Sequence, residues 1–183
     1  MNLLTFFEDD TIMAAMTLRD CTAPLCGNMA LHTGEEAGAV MENRRRLSEE
    51  TLPLSRWCCA MQTHSANAYA VTAEDAGRGA LTIDDAIPAC DALYTRERGV
   101  LIGVFTADCV PLLLHDPHSG IIAAIHAGWP GTVKQITHHT VSRLIEREGL
   151  DARTVQVWIG PCIHQPSFQI REDVIAQIRA LPF

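Results

Sequence analysis

An α/β (α+β) fold, a mixed β-sheet with helices packed on it, is what this 183-residue sequence predicts, on three observations. Short apolar runs are bounded by dense turn vocabulary, most clearly where Asp116-Pro117-His118-Ser119-Gly120 separates residues 111–114 from residues 121–125. Elsewhere apolar residues recur at helical spacing of three and four. The helices interleave with strands, but several strands are joined by hairpins, which excludes a purely parallel sheet. The length suits one domain with a sizeable core and is short for two.

Residues 1–34 hold short apolar pieces broken by Pro24, Gly27 and Gly34, which predicts loops and one or two short strands. Residues 35–52 place Val40, Met41, Arg44 and Leu47 along one face with acids early, so an amphipathic helix is expected, ended by Pro53. Its basic run, Arg44-Arg45-Arg46, followed by Glu49-Glu50, reads as a solvated face. Residues 56–61 and 67–71 are strands, with Gln62-Thr63-His64-Ser65 as the break between them. Asp75 to Gly79 and Asp84-Asp85 form acidic loop, and residues 91–95 and 100–105 two more short strands. After Gly131 the period changes: Thr132 is a candidate N-cap, Val133, Ile136, Thr140, Val141, Leu144 and Ile145 are spaced as in a helix, and Gly149 stands where a terminating glycine belongs. Residues 155–159 form a strand, and residues 171–180 a last helix with Val174, Ile175 and Ile178 on one side.

The hairpin around Asp116 sets up the candidate chemistry. With residues 116–119 as the loop and His115 paired with Gly120, Cys109 falls directly opposite His126, and both side chains leave one face at the open end. A thiol and an imidazole beside Asp108, with Gly128 and Gly131 allowing close backbone approach, point to a reactive site. The two residues alone fit a buried thiol and a hydrogen-bonded histidine equally well. A helix starting after Gly131 would aim free N–H groups at this end and favour an anion there. His64 taken singly reads as a surface residue; Cys162 either borders the site or, taken singly, is a buried structural thiol. His138 and His139 diverge by about 100° around their helix and do not chelate one metal.

Composition excludes several classes. Hydrophobic content of 48% and charged content of 20% are those of an ordinary globular protein. A formal charge of −8 argues against a nucleic-acid partner, which needs a basic stripe. No window reaches transmembrane length, and Glu8, Asp9 and Asp10 stand where a signal peptide stays apolar, so neither a membrane partner nor export is expected. Seven cysteines without a paired framework predict reduced thiols and a cytoplasmic protein.

Six segments together carry a resemblance. Thr106-Ala107-Asp108-Cys109-Val110-Pro111, His126-Ala127-Gly128-Trp129, Ile159-Gly160-Pro161-Cys162-Ile163, Gln62-Thr63-His64, Asp91-Ala92-Leu93 and residues 27–34 resemble the YfiH family, also called the laccase-domain or peptidoglycan-editing-factor family, over about residues 27–170. The resemblance implies one domain over residues 1–183 with a fold similar to the cytotoxic necrotizing factor catalytic domain. It implies a metal-assisted purine nucleoside phosphorylase acting on adenosine, inosine and methylthioadenosine, with adenosine deaminase activity. The partners are then a purine nucleoside and phosphate, and the metal is zinc, with copper as the other candidate. Its ligands would be His64, Cys109 and His126, a donor set suited to zinc that leaves a fourth position for water or substrate. Asp108, Cys109 and His126 become the candidate catalytic residues, and Gly128, Trp129 and Cys162 the candidate substrate-binding ones. Asp108 would handle a proton or orient a ligand; its plainer role is to cap the turn before Pro111.

Two departures stand out. The family pattern HAGWRG is here His126-Ala127-Gly128-Trp129-Pro130-Gly131, so a cation is replaced by a residue with neither charge nor N–H. Family members also continue for a few dozen residues more, so the domain reads as short at its C-terminus, with one sheet edge and part of the site uncovered. Two other readings stand beside the first: a Cys-His hydrolase with Cys109 as nucleophile and His126 as base, and a weakly active or non-catalytic paralogue. Copper oxidation of polyphenols is disfavoured, since it needs many histidines and the chain has no His-X-His pair.

Overall fold

The computed structural model describes residues 2–181. In chain order it runs β1 (Leu3–Glu8), β2 (Met13–Thr17), α1 (Ala37–Glu50), β3 (Trp57–Cys59), β4 (Ala68–Ala70), β5 (Ala92–Thr95), β6 (Leu101–Gly103), β7 (Val110–Asp116), β8 (Ile121–Ala127), α2 (Trp129–Val133), α3 (Ile136–Glu148), β9 (Gln156–Ile159) and α4 (Glu172–Arg179). The main sheet has five strands in the order β4-β5-β8-β7-β9. Its β4–β5 pair is parallel and its other pairs antiparallel, so the sheet is mixed as the hairpins required. Two small sheets flank it, β1 with β2 and β3 with β6. Among the described residues no helix is long and apolar enough to cross a membrane.

Strand alternation divides the core. Ala92 and Tyr94 of β5 join Leu114, Ile121 and Ile125 under Ile136 and Leu144 of α3, while Leu93 points to the other face and packs with Cys58, Ile87, Cys90 and Val100. In a third cluster Trp57 and Cys59, which alternate with Cys58 along β3, meet Leu47 of α1. The N-terminal hairpin reaches β9 through Phe7, whose ring stacks on Trp158 at 5.8 Å. β9 is an edge strand, and its Ile159 is 64% exposed.

Three expectations are corrected. In the β7–β8 hairpin Asp116 pairs with Ile121 and Pro111 with His126, so Cys109 is not directly opposite His126. Asp116 ends the strand instead of opening the loop because its buried carboxylate accepts from His118 N, Ser119 N and Ser119 Oγ, tying the turn to the strand end. Gly120, at φ 72°, takes the left-handed turn position that a paired strand residue would not adopt. The displacement is two residues, so Cys109 keeps its predicted face and lies one step beyond the last pair, Val110 with Ala127.

Thr132 does not cap a helix. α2 begins at Trp129 with Gly128 as its N-cap, and Pro130 lies in its first turn, where a missing N–H costs no hydrogen bond. The chain then reverses through Gln135, at φ 60°, before α3 starts at Ile136 and ends at Gly149. The long helix expected to point its N-terminus at the site is therefore a single five-residue turn.

Arg44 is no part of a solvated face. α1, capped by the Glu36 side chain, turns Val40, Asn43 and Arg44 inward. Arg44 Nε donates to the Met29 carbonyl at 2.8 Å, and one terminal nitrogen to those of Gly79 and Ala80 at 2.6 and 2.8 Å. The guanidinium lies over the Phe105 ring at 5.0 Å. Its neighbours Arg45 and Arg46 stay exposed and pair with Glu42.

Candidate metal centre

Asp91 organises the site. It precedes β5, is fully buried, and a buried carboxylate persists only where donors surround it. It accepts from the backbone N–H groups of Thr63, His64 and Ser65 at 3.2, 3.1 and 2.7 Å and from Ser65 Oγ at 2.6 Å. These bonds fold the break between β3 and β4 into a tight loop that holds His64 at φ 55°, a left-handed conformation uncommon for residues other than glycine. Burial raises the Asp91 pKa, but the hydrogen bonds from His126, Ser65 and Thr63 outweigh it and hold the carboxyl well below the usual carboxylate range.

The same carboxylate orients the second imidazole. His126 donates Nδ1–H to Asp91 Oδ1 at 2.8 Å, and its backbone N–H donates to the Asp91 carbonyl, also at 2.8 Å. With Nδ1 protonated, Nε2 is left with a free lone pair. The His64 and His126 rings meet edge to face at 4.8 Å between centroids. Cys109, at the hairpin mouth, places Sγ 3.7 Å from His64 Nε2. One ligand atom from each of His64, Cys109 and His126 lies within 4.8 Å of the others, so the three predicted donors converge.

These residues fit a zinc ion. Two imidazoles and a thiol are its usual donors, and an imidazole whose second nitrogen is held by a carboxylate is the arrangement that fixes a metal-binding tautomer. Burial pushes the Cys109 thiol up, and the charges of Asp108 and Asp91 add to that, so a cation is what would stabilise its thiolate. A single mononuclear trio with one sulfur also suits copper.

The remaining candidates take different places. Gly128 abuts the trio: a Cβ there would come within 2.9 Å of both Cys109 Sγ and His64 Nε2, so glycine is required for close approach. Trp129 opens α2, 39% exposed. Cys162 is half-buried on the segment after β9, which is held beside the hairpin mouth by Gly160 N to the Pro111 carbonyl and Ile163 N to the Asp108 carbonyl, at 3.0 and 2.9 Å. Asp108 thus anchors that segment through its backbone while its side chain is exposed. Sequence reasoning missed Asp91 as a site residue; the available signal was an acid directly preceding the apolar run Ala92-Leu93-Tyr94, a position that buries it.

A family model described as multi-copper polyphenol oxidoreductase laccase matches residues 24–182. The chain is 40% identical over 153 residues to purine nucleoside phosphorylase YlmD of Geobacillus stearothermophilus, covering 83% of this chain and 56% of that one. It is 35% identical over 160 residues to adenosine deaminase RL5 of an unknown prokaryotic organism, covering 85% and 60%. The crystal structure of the hypothetical protein YfiH of Bacillus licheniformis matches with a TM-score of 0.82 at 34% identity, over 86% of this chain and 59% of that one. The chain therefore spans less than two thirds of the length of each of these relatives. A match over most of the sequence, a shared fold and the six motifs agree: the chain belongs to the laccase-domain, or YfiH, family.

Proposed function

We propose that this chain is a zinc-dependent purine nucleoside phosphorylase, acting on adenosine, inosine and methylthioadenosine, with adenosine deaminase activity. The observation that carries the reading is the convergence of His64, Cys109 and His126 within 4.8 Å around an Asp91 that holds both histidines. Relatives named for both reactions support it. His64, Cys109 and His126 hold the metal; Asp91 fixes the His126 tautomer and the His64 loop. A zinc ion held by this trio would supply Lewis acidity, which would serve purine deamination and charge stabilisation in phosphorolysis alike. Asp108, exposed at the mouth, is positioned to take or return a proton at the purine, and Trp129 and Cys162 border the bound nucleoside. Buried thiols at Cys58 and Cys59, pushed up to about 12 and about 11 chiefly by burial, suit a reducing compartment, and the cytoplasm is the proposed location.

One observation favours the hydrolase as a second reading: Asp91, His126 and Cys109 stand in the order acid, imidazole, thiol. The imidazole in hydrogen-bond contact with the sulfur, at 3.7 Å, however, is that of His64, and burial and two acids oppose an unaided thiolate. The test is to incubate the protein with adenosine and phosphate, assaying metal on the same sample. Adenine or inosine together with stoichiometric zinc is the expected result. Absence of adenine, inosine and hypoxanthine rejects both activities, and alkylation of Cys109 in metal-free but active protein favours the hydrolase.

A further inference from the structure

α2 and its two cap residues, Gly128 and Lys134, meet the His64 loop at every third position. Gly128 abuts the His64 ring, a Cβ on Gly131 would stand 3.2 Å from the Ser65 carbonyl, and Lys134 Nζ donates to the His64 carbonyl at 2.9 Å. Lys134 is the only lysine in the sequence; every other member of its fourteen Lys and Arg residues is an arginine. An ammonium has three donors, so the His64 carbonyl leaves two on this exposed side chain. Two carboxylates bring negative charge to Cys109, Asp91 bonded to His126 and the exposed Asp108, and Pro130, one turn earlier on α2, offers neither charge nor N–H. Zinc on the trio would offset two of the three negative charges of the Cys109 thiolate, Asp91 and Asp108, so a further cation would still favour a phosphate dianion here, and a compact ammonium on a flexible stem is suited to supply it.

We propose that Lys134 is the phosphate-binding cation of the site, holding the oxyanion that phosphorolysis consumes. The assignment rests on the phosphorylase reading for its purpose but not for its test. The metal-loaded protein, Lys134→Gln and Lys134→Arg are titrated calorimetrically with inorganic phosphate in the absence of nucleoside. The expected result is a Kd raised about tenfold or more in Lys134→Gln and restored in Lys134→Arg, with zinc content unchanged. In turnover, the phosphate KM rises more than the nucleoside KM.

Having one lysine gives an independent readout without a variant. Saturating phosphate should protect Lys134 from acetylation, read by peptide mass, with the α-amino group as internal control. Protection by AMP and not by inorganic phosphate assigns the same oxyanion site to a nucleotide's 5′-phosphate. Equal phosphate affinity in wild type and Lys134→Gln, or zinc lost with the phosphate affinity of the loaded fraction unchanged, overturns the proposal and leaves Lys134 a brace for the His64 carbonyl. Lys134-dependent phosphate binding without any phosphorolysis would keep the site and sink the phosphorylase reading.

Discussion

Asp91 carries more of the site than either histidine, because its single carboxylate serves the His64 loop and the His126 ring together. Asp91→Asn keeps the shape but replaces one acceptor oxygen with an amide that donates, facing N–H groups that also donate. The expected outcome is a fall in zinc affinity of about ten- to a hundredfold, the range found when an outer partner of a metal-binding histidine is lost. Competition with a chromogenic chelator measures it, with circular dichroism confirming the folded fraction; unchanged affinity would show that the two imidazoles hold their positions without the carboxylate. The sequence made the three converging candidate ligands legible but not the carboxylate that organises them. His64, Cys109 and His126 each belong to a short motif with turn or glycine neighbours, whereas Asp91 stands at the start of an apolar strand and makes its contacts 26 to 35 residues away. Lys134 was equally hidden, since a lone lysine near the end of a short helix has no local signature.

At the scale of elements, periodicity located the strands and helices but misjudged their ends and one face. The β7–β8 register moved by two residues because Asp116 bonds forward into the loop and across to Thr154 Oγ1 at 2.8 Å, a partner 38 residues away. The helix after Gly131 divided in two because Gln135 takes a left-handed turn that no Gly or Pro announces at that position. Arg44 looked solvated inside a basic run, yet its inward direction follows from Val40, one turn earlier on the same face. Its guanidinium ties α1 to the segments around Met29 and Gly79, with three carbonyls satisfied by one side chain. Arg44→Ala would strand those carbonyls in the interior, so a loss of about 3 kcal/mol is expected. Urea unfolding measures it, and Arg45→Ala, whose side chain is 61% exposed in a surface pair with Glu42, should move the midpoint within error. Equal effects from the two substitutions would return Arg44 to the solvated face.

Across the whole molecule the central hairpin is clamped at both ends by a buried carboxylate. At the open end Asp91 grips the His64 loop and β8; at the closed end Asp116 grips its own turn and the connection from α3 to β9 through Asp151 N and Thr154 Oγ1. Burial raises both pKa values, and in each case the accepted hydrogen bonds outweigh it and hold the acid below its ordinary value of 3.8. The sign follows from proton counting: below that ordinary value the unfolded chain binds protons that the folded chain refuses, so stability falls as the pH falls. The contribution of both clamps is complete above about pH 5 and is lost progressively as the pH drops toward the folded values. Metal retention is expected to fail earlier, because the proposed ligands bind a metal as a thiolate and two unprotonated imidazoles, and protons compete for those sites. Acidification should therefore proceed in two steps: bound zinc leaves first, with the α/β circular dichroism spectrum intact, and the fold gives way at lower pH, below about pH 4. Asp116→Asn should flatten the second step without shifting the first, since it lies at the end of the hairpin away from the trio. Parallel titrations of released zinc and ellipticity decide the matter, and a single coincident transition would mean that the metal centre and the closed end of the hairpin unfold as one cooperative unit.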